Sequence, residues 1–85
     1  MTRDELAAAA RHAAALENHY PDTVAHPPEI TEGAQAATVL MADQRGGWIV
    51  CVHLNNAAKG DWYITSDLPP GSARVAAAAY AATGL

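Results

Sequence analysis

Alanine dominates the hydrophobic part of this sequence and limits the core that the chain can build. Hydrophobic residues make up 51% of the 85 residues, but 21 of them are alanine and none is phenylalanine. Leu, Ile and Val together number only 14. An alanine methyl buries little apolar area, so elements rich in alanine must approach one another closely to exclude water. The sequence therefore predicts one small domain with a thin core.

Charge and cysteine content exclude several classes of protein. Nine acidic residues against five basic ones give a formal charge of -4, which is the wrong sign for a general nucleic-acid binder. The single cysteine, Cys51, cannot form a disulfide within the chain, which favours a reducing compartment and a cytoplasmic protein. No uninterrupted apolar run reaches 18 residues, so we expect no membrane span.

Two helices are predicted, one at each end of the chain. Thr2 and Glu5 form a capping-box pattern, and strong helix formers follow, which predicts a helix over about residues 3–19 that Pro21 ends. Its buried stripe is expected to contain Leu6, Ala9, Ala10, Ala13 and Leu16. Ser72 is predicted to cap a final alanine-rich helix over about 73–82, which Gly84 ends.

Three strands are predicted between the helices. Two β-prone runs, about 37–45 and 48–54, flank Gly46-Gly47 and indicate a hairpin, and a third strand is expected at about 62–66. Three prolines in residues 21–33 favour an extended connector outside any central strand, because proline has no backbone N–H. The predicted fold class is α+β. We expect residues 1–85 to form a single domain with a three-stranded antiparallel meander flanked by N-terminal and C-terminal alanine-rich helices.

The central strand predicts that both faces of the sheet are covered. Its alternate residues divide into two sets, and neither set is polar: Trp48, Val50, Val52 and Leu54 on one face, and Ile49, Cys51 and His53 on the other. Two short helices suffice for one face of three strands. We therefore expect the proline-rich connector or a second copy of the chain on the other face, and the second possibility predicts a homodimer.

The leading functional hypothesis is a small non-enzymatic protein–protein interaction or regulatory module of bacterial or phage type. An inhibitor, an immunity protein or an accessory subunit would fit, because no set of catalytic residues converges in the sequence. The expected partner is another protein or a second copy of the chain, with no membrane and no cofactor. The candidate interface residues are Trp48, Ile49, Cys51, His53, Trp62 and Tyr63, since aromatic residues near sheet ends often anchor interfaces.

A first alternative is nucleic-acid binding. The order helix, three strands, helix, together with the alanine-rich segment 72–82, resembles the double-stranded-RNA-binding domain. That resemblance implies RNA binding, for which Arg45, Lys59 and Arg74 would have to line one surface. The family grips phosphates with a lysine cluster at the start of its last helix, where this chain has only Arg74.

A second alternative is a small ligand-binding or catalytic site around Cys51 and His53. Two residues apart on one strand, their side chains point to the same face, about 7 Å apart at Cα. The simpler interpretation is that Cys51 is a small hydrophobic residue buried in the core. His12, His19 and His26 recur every seven residues, about 10 Å apart on a helix, which is too far for one metal ion, so we expect surface histidines and no metal site.

Overall fold

The chain folds in the order helix, five strands, helix. The structure is a computed structural model that describes the backbone of residues 1–85 and every side chain except those of Ser66, Asp67 and Pro70. The elements are α1 (Arg3–Leu16), β1 (Pro21–Asp22), β2 (Glu29–Glu32), β3 (Ala36–Asp43), β4 (Trp48–Leu54), β5 (Tyr63–Leu68) and α2 (Pro70–Thr83). The α+β class and both terminal helices are confirmed. Neither helix is long and apolar enough to cross a membrane.

The strands form one antiparallel sheet whose centre is the predicted hairpin. β4 lies between β3 and β5, and Leu40 pairs with Val50 across the hairpin. The turn has Gly46 at φ 97° and Gly47 at φ 79°, conformations that favour glycine. The Gly46-Gly47 dipeptide therefore fixes the hairpin where the sequence placed it.

The predicted number of strands is wrong, because the proline-rich connector contributes two more. β1 and β2 both pair with the side of β3 that faces away from β4. Pro21 opens β1, and Pro27 and Pro28 lie just before β2, so each of these three prolines lies where its missing N–H interrupts no central ladder. The connector is extended, as predicted, and it also belongs to the sheet.

Helix α1 begins as predicted and ends earlier. Thr2 and Glu5 form the full capping box, in which each side chain bonds the backbone N–H of the other residue. The helix ends at Leu16 because Asn18 takes a left-handed conformation at φ 63°. The last turn is closed by a bond from the N–H of His19 to the carbonyl of Ala14. Asn18, and not Pro21, therefore ends α1.

Helix α2 begins before Ser72, which is not its cap. The N-cap is Pro69, without a side-chain hydrogen bond, and the Ser72 hydroxyl lies inside the first turn and donates to the Pro69 carbonyl at 3.2 Å. Proline is tolerated at the first helical position because the N–H there has no intrahelical partner, so the helix can begin at Pro70. Gly84 ends the helix at φ 72°, as predicted.

The two helices pack on opposite faces of the sheet, which corrects the expectation that both cover one face. On the α1 face, Leu6, Ala10 and Ala14 pack against Val39, Met41, Ile49 and Cys51. On the α2 face, Ala73 and Ala77 pack against Leu40, Val50 and Val52. Each face carries its own apolar row, and one alanine-lined helix covers each row. The second face of the sheet is therefore covered by the chain itself, without a second molecule.

Candidate docking groove

An open groove runs alongside α1. It has a volume of about 350 Å³, within the range of small binding sites. Its wall on one side comes from α1 and on the other from the loop between β4 and β5. We call this surface the α1 groove, and its residues are Ala9, His12, Ala13, Leu16, Lys59, Gly60 and Trp62.

The groove exists because the apolar stripe of α1 is wider than the part that reaches the sheet. Leu6 is 4% exposed, whereas Leu16 is 73% exposed. An α-helix turns by about 100° per residue, so Leu16, ten residues after Leu6, lies about 80° from Leu6 around the helix axis. It lies on the side away from Ala10 and Ala14. The predicted stripe was therefore wrong in placing Leu16 in the core. Leu16 lines the groove together with half-buried Ala9 and Ala13.

Trp62 forms the wall opposite α1 and packs against His53. Its ring lies 5.0 Å from the ring of His53, centroid to centroid, and the two planes are inclined by 52°. Nε2 of His53 donates to the carbonyl of Ala58 at 3.2 Å, which ties the loop to β4. A carbonyl only accepts, so this bond places the proton on Nε2. His53 thus positions both the loop and the Trp62 wall.

The groove is apolar inside and basic at its edge. None of its seven lining residues is acidic, although the chain as a whole carries -4. Among the described side chains, Lys59 has no carboxylate within 4.0 Å. Its field nevertheless reaches Glu5, whose pKa is lowered mainly by hydrogen bonds with Thr2 and to a smaller extent by Lys59. Lys59 therefore contributes a positive charge to the edge of the α1 groove.

The six predicted interface residues lie in different environments. Ile49 and Cys51 are fully buried under α1, so neither reaches a partner in the folded chain. His53 is 9% exposed and acts behind the groove. Only Trp62 lines the groove. Tyr63 is half exposed and pairs with Val52, which places it on the α2 face, and half-buried Trp48 packs against the α2-face core.

Cys51 and His53 are adjacent on the α1 face, but the thiol is sealed. Its Sγ lies 3.7 Å from the carbonyl oxygen of Ala10. Burial raises the pKa of the Cys51 thiol to about 12, with a smaller contribution from the charge of Glu17. A buried neutral thiol is a poor nucleophile, since the thiolate is the reactive form. The Cys51 thiol is therefore buried and protonated, which is the opposite of an activated nucleophile.

The three nucleic-acid candidates do not share a surface. Arg74 on α2 binds Glu29 with paired hydrogen bonds of 2.9 and 2.8 Å, and these two residues line a small cleft of about 140 Å³. Lys59 lies beside α1, on the opposite face of the sheet. Arg45 lies in the β3–β4 turn, with its guanidinium 4.2 Å from the ring centroid of Tyr20. No continuous basic footprint results from these positions.

The three histidines spaced seven residues apart are also separated. His12 lines the α1 groove. His19 places Nδ1 3.7 Å from Oδ2 of the buried Asp43, and His26 meets the ring of Trp48 edge-on at 5.5 Å between centroids. Within the described side chains, no three His, Cys, Asp or Glu residues are grouped so as to hold a metal ion.

Comparisons of the chain with protein-family models, with curated proteins and with solved structures found no match.

Proposed function

We propose that the chain is a small non-enzymatic protein-interaction module and that the α1 groove is its docking surface. The observation that carries this proposal is Leu16, a large apolar side chain that is 73% exposed beside the indole of Trp62. Large apolar groups around a concave surface, with a polar edge, are characteristic of the centre and rim of a protein interface. A cytoplasmic location accompanies this proposal and is supported by the unpaired thiol of Cys51.

The shape of the groove favours a helix as the docked element. Its α1 wall consists of residues 9, 12, 13 and 16, a spacing that follows two helical turns or about 10 Å. The side chains of Ala9 and Ala13 are small enough to let a second helix approach the α1 backbone closely. A helix that lies in an apolar groove presents anchors at the same spacing. The proposed occupant is therefore an amphipathic helix of a protein molecule.

The arrangement of the potential reactive groups supports a non-enzymatic role. The thiol of Cys51 is buried against Ala10, and His53 is committed to Ala58 and to the indole of Trp62. Both groups serve the packing of the loop and of α1. The α1 groove is lined mainly by apolar side chains, with His12 and Lys59 as its two ionisable groups, which suits binding better than bond chemistry.

A photo-crosslinking amino acid at position 16 tests the proposal, with the same substitution at position 75 as the matched control. Val75 is 70% exposed on α2, so it equals Leu16 in exposure and lies across the sheet. In cells of the source organism, position 16 should give a discrete protein adduct, to the chain itself or to another protein, that Trp62→Ala abolishes. Position 75 should give none. Adducts at both positions alike, or at neither, would contradict the docking role of the α1 groove.

A further inference from the structure

We infer that the helix docked in the α1 groove is α1 of a second copy of this chain, packed antiparallel about a twofold axis. This inference rests on the proposed function, because it names the occupant of that same groove. The helix α1 is the element that displays both halves of such a contact. It carries the groove wall at Ala9 and Ala13, and it projects Leu16, which is 73% exposed and could fill the corresponding groove.

The positions on α1 are self-complementary in an antiparallel register. With Leu16 of one copy opposite Ala9 of the other, Ala13 lies opposite His12, and the twofold axis passes between residues 12 and 13. Twofold interfaces are isologous, so Leu16 of each copy enters the groove of the other. Ala9 and Leu16 are seven residues apart, which is one heptad of a packed helix pair. The Leu16 side chains of both copies can therefore insert at the same time.

Charge complementarity selects this orientation. Glu17 is exposed and follows Leu16 directly, so in the antiparallel pair it lies near the N-terminal half of the other α1. Lys59 lines the same groove as Ala9, the residue that lies opposite Leu16 in this register. The register therefore brings Glu17 of each copy towards Lys59 of the other, twice in the dimer. A parallel pair would place the two Glu17 carboxylates side by side.

The basis for a second copy is thus different from the one that the sequence suggested. The sheet faces are already covered by α1 and α2, so neither face requires a partner. One patch of exposed apolar surface lies around Leu16 and Trp62, in the groove between α1 and the β4–β5 loop. A chain with so few large side chains gains most by burying the ones it still exposes.

Sedimentation of the full chain tests the inference, with loading concentrations up to about 1 mM. We expect a dimer, and Leu16→Glu should weaken it roughly thirtyfold, since a carboxylate would enter the apolar groove. Val75→Glu is the matched control and should leave the dimer unchanged. Because Leu16 and Val75 are both largely exposed, circular dichroism should show folded protein for both variants.

Mixing two charge variants tests the register. Glu17→Lys alone and Lys59→Glu alone each create two like-charge pairs and should weaken their own dimers by roughly tenfold. An equimolar mixture should recover the original affinity, because each pair in the mixed dimer again joins opposite charges. Absence of recovery would overturn the antiparallel pairing of Glu17 and Lys59.

The outcomes separate this inference from the proposed function. A chain that remains monomeric throughout, yet crosslinks to another protein from position 16, would overturn the second copy as occupant and leave the groove as a docking surface. A dimer that Leu16→Glu does not weaken would place the contact elsewhere, and with no crosslink at position 16 it would overturn both.

Discussion

The imidazole of His53 and the indole of Trp62 lie 5.0 Å apart between ring centroids, and this contact joins the core to the α1 groove. His53 is on β4, with its ring on the α1 face and 9% exposed. Trp62 lies in the wall of the groove opposite α1. The α1 groove is therefore not formed by an independent loop, because its wall is held by a residue of the central strand.

Replacing His53 with Leu should loosen that wall. The change removes the hydrogen bond from Nε2 to Ala58 and the ring contact with Trp62, so we expect a loss of about 1 to 2 kcal/mol in the free energy of unfolding. Urea unfolding followed by circular dichroism measures the loss. His26→Leu is the control: it also removes a ring contact, with Trp48, but His26 is exposed, so it should change stability by less than about 0.5 kcal/mol. Equal midpoints for the two variants would show that His53 does not support the loop.

The buried thiol of Cys51 should make stability depend on pH in the alkaline range. Burial raises the thiol pKa from 9.0 to about 12, so the folded chain keeps a proton that the unfolded chain loses. The stabilising contribution of the protonated thiol to the free energy of unfolding is complete below about pH 9. It is lost as pH rises towards 12, by at most about 1.4 kcal/mol per pH unit. Cys51→Ala should lack this slope in urea titrations.

Thiol reactivity provides a second measurement of the same burial. An aromatic disulfide reagent at pH 8 should leave Cys51 unmodified in the folded protein and modify it fully in denaturant. Rapid modification of the folded protein would contradict the sealed position of Sγ against Ala10.

Gly33 should not tolerate a side chain. A Cβ at Gly33 would overlap the backbone carbonyl of Ala81 on α2, where no flexible group can yield. Gly33→Ala should therefore cost about 1 to 3 kcal/mol in the free energy of unfolding. Gly71→Ala is the control, because no atom lies within 4 Å of its Cβ position, and in a helix it should add up to about 1 kcal/mol. Thermal unfolding that ranks the two variants the other way would contradict the packing of α2 on the β2–β3 turn.

The ion pair of Arg74 and Glu29 should contribute little. Both side chains are substantially exposed, at 69% and 45%, so water and salt screen the charges. A double-mutant cycle with Arg74→Ala and Glu29→Ala should give a coupling of about 0.2 to 1 kcal/mol that shrinks in high salt. A coupling that does not respond to salt would contradict the exposure of the pair.

The same pair has a defined direction of pH dependence. The hydrogen bonds from Arg74 lower the pKa of Glu29 below its ordinary value. The stabilising contribution is therefore complete above the ordinary glutamate pKa and is lost as pH falls through the lowered value. In Arg74→Ala this acid-side loss should disappear.

Local signals in the sequence were sufficient for the hairpin, for the presence of both helices and for two of the four helix ends. The capping box of Thr2 and Glu5 and the left-handed Gly84 fix helix termini through interactions within a few residues. Gly46-Gly47 supplies positive φ angles that suit a tight turn. These features depend on no distant contact, so they could be predicted without knowledge of the packing.

Features set by tertiary contacts were missed. The prolines near β1 and β2 indicated an extended segment. That segment joins the sheet because it pairs with the edge of β3 that β4 leaves open, and the prolines do not indicate that pairing. The opposite placement of α1 and α2 depends on both faces of β3 and β4 being apolar. The offset of about 80° between Leu6 and Leu16 follows from helical geometry, so the α1 side of the groove could have been predicted. The loop that completes the groove could not have been predicted.

The most direct test of the account is a dilution series of the nitrogen-labelled protein followed by NMR. The chain has two tryptophans, and only Trp62 lines the α1 groove, so the indole of Trp48 is an internal control. We predict that dilution shifts the indole signal of Trp62 and the amide signals of Ala9, Ala13 and Leu16, while the indole of Trp48 and the amide of Val75 stay in place. Signals that do not move with concentration, or that move at Trp48 and Val75 instead, would contradict self-association through the α1 groove.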